Sequence, residues 1–183
     1  MPPTTTRLKP TSPSPKSPDL GARPTADEPA RSDAMERAAQ LLAQRPHAIA
    51  ELRTKLLARG LEGGAVDRAI ERLEDLRLLD DRAFATQWVE ERSARKGLAP
   101  AALLSELRGK GVPREIAEEA VAELEVDEIT QAKELAARLL RKVVSKPLEV
   151  QARRLQAMLL RRGFSTEAAI EGVRAILPPE GWD

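Results

Sequence analysis

From Ser32 onward apolar side chains recur every three or four residues, and the pattern itself repeats. Gly60, Gly111 and Gly163 lie 51 and 52 residues apart, each between a basic residue (Arg59, Lys110, Arg162) and an apolar one (Leu61, Val112, Phe164). Four residues before each glycine stands Leu56, Leu107 or Leu159, and eight before it Leu52, Leu103 or Leu155. After the glycines the same offsets carry Ala65, Val66, Ala69, Ile70 and Leu73, then Ile116, Ala117, Ala120, Val121 and Leu124, then Ala168, Ala169, Gly172, Val173 and Ile176. This spacing predicts a helix that ends at a left-handed glycine, a turn, and a second amphipathic helix. Pro113 with Glu115, Ser165 with Glu167, and Pro147 are start signals in matching places. A further helical stretch precedes each pair, at about 33–44, 81–96 and 127–143.

The predicted fold is therefore all-α, with three tandem three-helix repeats at 33–80, 81–126 and 127–177. Units of this size bury too little alone, so they are expected to pack side by side in an elongated, curved array. Residues 1–32 hold eight of the fourteen prolines and almost nothing large and apolar, which predicts a disordered tail. Residues 178–183 form a short carboxy-terminal tail.

Composition narrows the chemistry. The chain has no cysteine, no tyrosine and one histidine, His47, so it cannot form a disulfide framework, a cysteine nucleophile or a multi-histidine metal site. No Walker-type phosphate loop occurs, no serine outside the tail has a base nearby in sequence, and no cofactor is implied. The expectation is a protein without catalysis. No segment reaches the roughly 18 consecutive apolar residues of a membrane span, and no apolar signal core is present. A cytoplasmic, monomeric protein is expected.

Adjacent Asp80 and Asp81 could hold a metal or share a proton, but they lie between an apolar run and a helix starting Arg82-Ala83-Phe84. Capping is the expected role. His47 follows Pro46 and is expected to be a turn residue.

Charge is the more telling feature. The total of +1 hides segregation, because residues 138–162 contain Arg138, Arg141, Lys142, Lys146, Arg153, Arg154, Arg161 and Arg162 against Glu149 alone. Arg138, Arg141 and Lys142 are expected to share one helical face, and Arg154, Arg161 and Arg162 to line the next helix. Such a face suits nucleic-acid phosphates or an acidic protein surface. With Phe84, Trp88, Phe164 and Trp182 the only aromatics, and the first three expected inside, base stacking is not available in quantity. Any contact with single- or double-stranded DNA is expected to be weak, nonspecific and salt-sensitive.

The residues that set the register also carry a resemblance. Leu78-Leu79-Asp80-Asp81-Arg82-Ala83-Phe84-Ala85 is similar to the paired-aspartate motif of the RecX family, bacterial regulators of the RecA recombinase. Glu51-Leu52-Arg53 with Lys55-Leu56 resembles the first-repeat hallmark, and Arg161-Arg162-Gly163-Phe164-Ser165 the third-repeat turn. The resemblance spans residues 34–177. It implies binding to the RecA–DNA filament, in its groove or at its growing end, with restraint of ATP turnover, strand exchange and stimulated self-cleavage. A DNA-binding regulator that uses one unit as a helix-turn-helix is the alternative. Two departures stand out. Ala48 replaces the usual Ser or Thr cap, which predicts a frayed helix start and a gain of roughly 1 kcal/mol from Ala48→Ser. Ala99 and Pro100 occupy a turn where the family often has glycine.

Overall fold

The computed structural model describes residues 27–125 and 127–179, so most of the proline-rich tail and Trp182 lie outside the described residues. Among the described residues every regular element is a helix: α1 (Asp27–Gln44), α2 (Ile49–Ala58), α3 (Gly63–Asp75), α4 (Asp81–Lys96), α5 (Pro100–Lys110), α6 (Arg114–Ala122), α7 (Glu128–Leu140), α8 (Leu148–Leu160) and α9 (Thr166–Arg174). They form three units of three. In each unit the first and third helices pack most extensively, and the second helix lies against them. The six register leucines, Leu52, Leu56, Leu103, Leu107, Leu155 and Leu159, are all fully buried. Each contributes about 1.5–3 kcal/mol by leaving water, which explains why the second helix of every unit repeats them. No helix among the described residues is long and apolar enough to cross a membrane.

Two boundaries differ from the sequence pattern. Helix α1 starts at Asp27, six residues before the expected start, because Glu28 and Pro29 suit a first turn and Ala30 packs on Ala34, Ala65 and Ala69. Helix α7 stops at Leu140, and the chain then turns tightly, with Lys142 N donating to Leu139 O and Val143 N to Leu140 O. Pro147, which has no N–H to donate and disfavours helix at the residue before it, keeps these turns from running on as helix into α8.

The units meet at two joints built on the register glycines. Gly60, Gly111 and Gly163 all adopt left-handed φ, at 82°, 80° and 86°. A methyl group on Gly111 would stand 2.5 Å from Ala50 Cβ, and one on Gly163 only 2.4 Å from Ala102 N. Around Gly60, which has no unit ahead of it, nothing lies within 4 Å. The carboxy-terminal end of α5 thus abuts the start of α2, and that of α8 abuts the start of α5.

The alanines that precede α2 and α5 are part of the same device. Ala48 is 0 % exposed and sits in the core of the second unit, while Ala99 is 0 % exposed and sits in the core of the third. Each acts as a small plug from one unit into the next. This accounts for both departures noted in the sequence. The start of α2 is not left open either: Ile49 N donates to Asp81 Oδ1 at 2.9 Å, a cap delivered from the second unit. Pro100, the first residue of α5, has no N–H to cap. The sequence-based gain for Ala48→Ser is therefore corrected. Burying the hydroxyl offsets the added cap, and thermal melts of the variant and the parent should coincide.

Candidate partner-binding surface

Seven of the eight cations in the basic run are exposed: Arg138 on α7, Arg141, Lys142 and Lys146 in the α7–α8 connection, Arg153 and Arg154 on α8, and Arg161 at its end. Among the described residues these seven form no ion pair. The first two units are different. Arg37 pairs with Asp33, Arg53 with Asp67, Arg82 with Glu119, Arg95 with Glu91 and Arg114 with Glu118. Most cations of these two units are paired in this way, with Arg59, Arg72, Arg77 and Arg108 as scattered exceptions, whereas the seven of the third unit follow one another closely in sequence with none paired.

Two placements are corrected by the structure. Arg138 lies on α7, Arg141 is its αR cap and Lys142 falls in the turn that follows, so the three run past the end of the helix and not along its length. Arg162 is half-exposed, and its side chain is also engaged within the fold. Its guanidinium donates to Met158 O at 2.9 Å and to Lys96 O at 3.3 Å, and its carbonyl accepts Ala99 N at 2.9 Å. It locks the second joint. A basic residue before a glycine gave no hint of that use.

The paired aspartates divide their labour. Asp80 caps α4 by accepting from Arg82 N and Ala83 N. Asp81, buried, instead crosses to α2 at Ile49 N. Burial raises the Asp81 carboxyl, and the bond from Ile49 only partly opposes this. Phe84 and Phe164 lie in the cores of their units.

A polar cluster that sequence patterning did not reveal completes the first joint. Glu51 takes Arg45 at 2.6 Å and Lys110 at 3.1 Å, with Lys55 at 3.4 Å. His47 is buried, with Nδ1 2.8 Å from Arg45 O and Nε2 2.9 Å from Lys55 Nζ, so it is more than a turn residue. Burial first, then neighbouring cations, hold its pKa down, and the neutral ring accepts from Lys55. Burial alone would raise Glu51, but the hydrogen bonds and charges of Arg45 and Lys110 win and hold it at about 2. Its contribution to stability is therefore complete above the usual carboxylate range and is lost as pH falls toward about 2. Glu51→Gln should lower stability at neutral pH and flatten this acid limb, as read by urea titrations across pH 2–6. An unchanged acid limb would mean that Glu51 does not tie the units together.

Trp88 closes the same region. It stacks on Phe84 at 5.5 Å, lies under Arg92 at 4.0 Å and Lys110 at 4.9 Å, and donates Nε1 to Glu106. Its faces are taken up by these neighbours, as the scarcity of stacking platforms in the sequence suggested. Among the described residues no group of His, Cys, Asp or Glu is placed to hold a metal ion.

Comparison with known proteins agrees with this architecture. Family models described as the first, second and third three-helix domains of RecX match residues 34–73, 80–121 and 125–170. Proteins named "Regulatory protein RecX" from Thermobifida fusca (strain YX) and Mycobacterium sp. (strain KMS) are both 37 % identical to this chain. The first match covers 78 % of this chain and 77 % of its relative, and the second 89 % and 90 %. The crystal structure of RecX from Lactobacillus salivarius superposes with a TM-score of 0.69 at 21 % identity, over 81 % of this chain and 97 % of that one. With all three of its helical units matched and relatives this similar along most of its length, the chain belongs to the RecX family of regulatory proteins.

Proposed function

We propose that this chain binds the RecA–DNA filament and restrains its ATPase, strand exchange and coprotease activity, as part of recombination, repair and SOS control. Membership of a family of regulatory proteins supports the regulatory role. The observation that carries the binding surface is the run of seven exposed, unpaired cations in the third unit, set against the mostly paired cations of the other two. Such a surface speeds encounter with a negatively charged assembly and orients the molecule on it. The chain acts in the cytoplasm as a monomer, through contacts and not catalysis, and any DNA contact is made through phosphates.

The helix-turn-helix alternative is less well supported. Helix α9 turns Ala168, Ala169, Gly172 and Val173 inward, and its one long cation, Arg174, pairs with Glu171. Little is left on it to read base edges.

The test is direct. A molar deficit of this protein is added to RecA filaments on single-stranded DNA, and ATP hydrolysis is followed. A fall in rate at substoichiometric ratios is expected. An unchanged rate at every ratio would remove the proposal.

A further inference from the structure

The connection between α7 and α8, residues 141–147, is longer than its counterparts between α1 and α2 (45–48) and between α4 and α5 (97–99). It holds three cations, Arg141, Lys142 and Lys146, and no acid. It also exposes Val144, at 63 %, the most exposed large apolar residue among those described. A long exposed connection of this kind would be expected to move. This one is tied down from inside.

The tether is Gln151. This side chain is only 7 % exposed, one of three buried polar or charged residues among those described. Its Nε2 donates to Lys146 O at 2.7 Å and to Val144 O at 3.2 Å. Val143, 1 % exposed, anchors the loop from the core side, and Lys146 N donates back to Val143 O at 2.9 Å. A buried amide is costly unless its hydrogen bonds are made, and here both go to carbonyls of one exposed loop. The arrangement holds Val144 outward between cations.

We infer that residues 141–146 form a pre-organised docking loop for an acidic protein surface with a small apolar recess, which receives Val144 while Arg141, Lys142 and Lys146 meet carboxylates at its rim. Gln151 is the positioning residue of this loop. The inference rests on the functional reading above and decides what part of the cationic surface touches protein. Charge complementarity selects an acidic partner, and the projecting valine selects protein over a phosphate backbone, which offers an apolar side chain nothing to bury. Rigidity established before contact lowers the ordering cost of binding.

Three variants are measured against RecA filaments and, separately, against a single-stranded oligonucleotide without RecA. Val144→Ser is exposed and leaves the core intact; it should weaken filament binding roughly tenfold. Gln151→Met keeps the volume and removes the donor, and should weaken it roughly threefold. Amide exchange at Lys146 should quicken in Gln151→Met and not in Val144→Ser. Leu78→Ser, an exposed leucine at 62 % far along the chain, serves as control and should change neither affinity. Oligonucleotide affinity should be the same for all. Unaltered filament binding by both loop variants, alongside losses on charge reversal in α8, would overturn the loop assignment and leave the functional reading standing. Parallel losses on oligonucleotide and filament would make the loop a phosphate contact and overturn it too. A parent chain that does not bind filaments would remove the functional reading, and this inference with it.

Discussion

Gly163→Ala is expected to destabilise the molecule by about 2–4 kcal/mol, the largest loss of any single methyl group here. Two costs combine. At φ 86° an alanine pays the left-handed penalty, and its Cβ would stand 2.4 Å from Ala102 N and 3.0 Å from Ala102 Cα, backbone atoms that a side-chain rotation cannot move aside. The second joint must open, which also strains Ala99 N to Arg162 O and withdraws Ala99 from the third core. Gly60→Ala provides the control. Its φ is 82°, yet nothing lies within 4 Å, so only the conformational cost of about 1 kcal/mol applies. Urea unfolding should separate the two variants clearly. Equal losses would show that the glycines matter for helix termination alone and not for joining units.

Reversing Arg153 and Arg154 to glutamate is expected to weaken filament inhibition roughly tenfold or more at low salt, with little change in thermal stability. Both side chains are exposed on α8, and neither has an ion pair among the described residues, so nothing in the fold depends on their charge. The same reversal at Arg37 and Arg68 in the first unit should have a much smaller effect on inhibition. Arg37 is held by Asp33, and that exposed pair contributes little to stability. The difference between the two double variants should shrink as salt rises. Equal effects of the two at low salt would place the working surface elsewhere.

Much of this architecture is legible in the chain because it rests on local rules repeated three times. The leucines four and eight residues before each glycine are buried because a helix of fixed pitch brings them to one stripe. Helix α4 runs from Asp81 to Lys96 as the pattern predicted, since Asp80 caps it and Gly97 ends it in left-handed conformation. The basic run was equally visible, being a matter of composition. Its geometry was not. Periodicity runs a helix through Arg138, Arg141 and Lys142, whereas α7 ends at Leu140 and the chain goes on in tight turns. Arg162 reads like its neighbours in the sequence, because nothing local distinguishes a surface arginine from one whose guanidinium donates to the Lys96 and Met158 carbonyls.

The sequence by itself determined the number of units, most of the extent of their helices, their cores and the unit in which positive charge accumulates, all consequences of short-range spacing, composition and of which residues water expels. Only the tertiary structure decided how unit joins unit. Ala48 and Ala99 read as poor caps until each is seen inside the next unit's core. Asp81 reads as a helix-start acid until it meets Ile49, 32 residues earlier. Glu51 and Lys110, and Gln151 with its loop, likewise depend on which backbone atoms arrive beside them. A buried polar group is defined by its partner, and when that partner belongs to another element, no pattern along one helix can announce it.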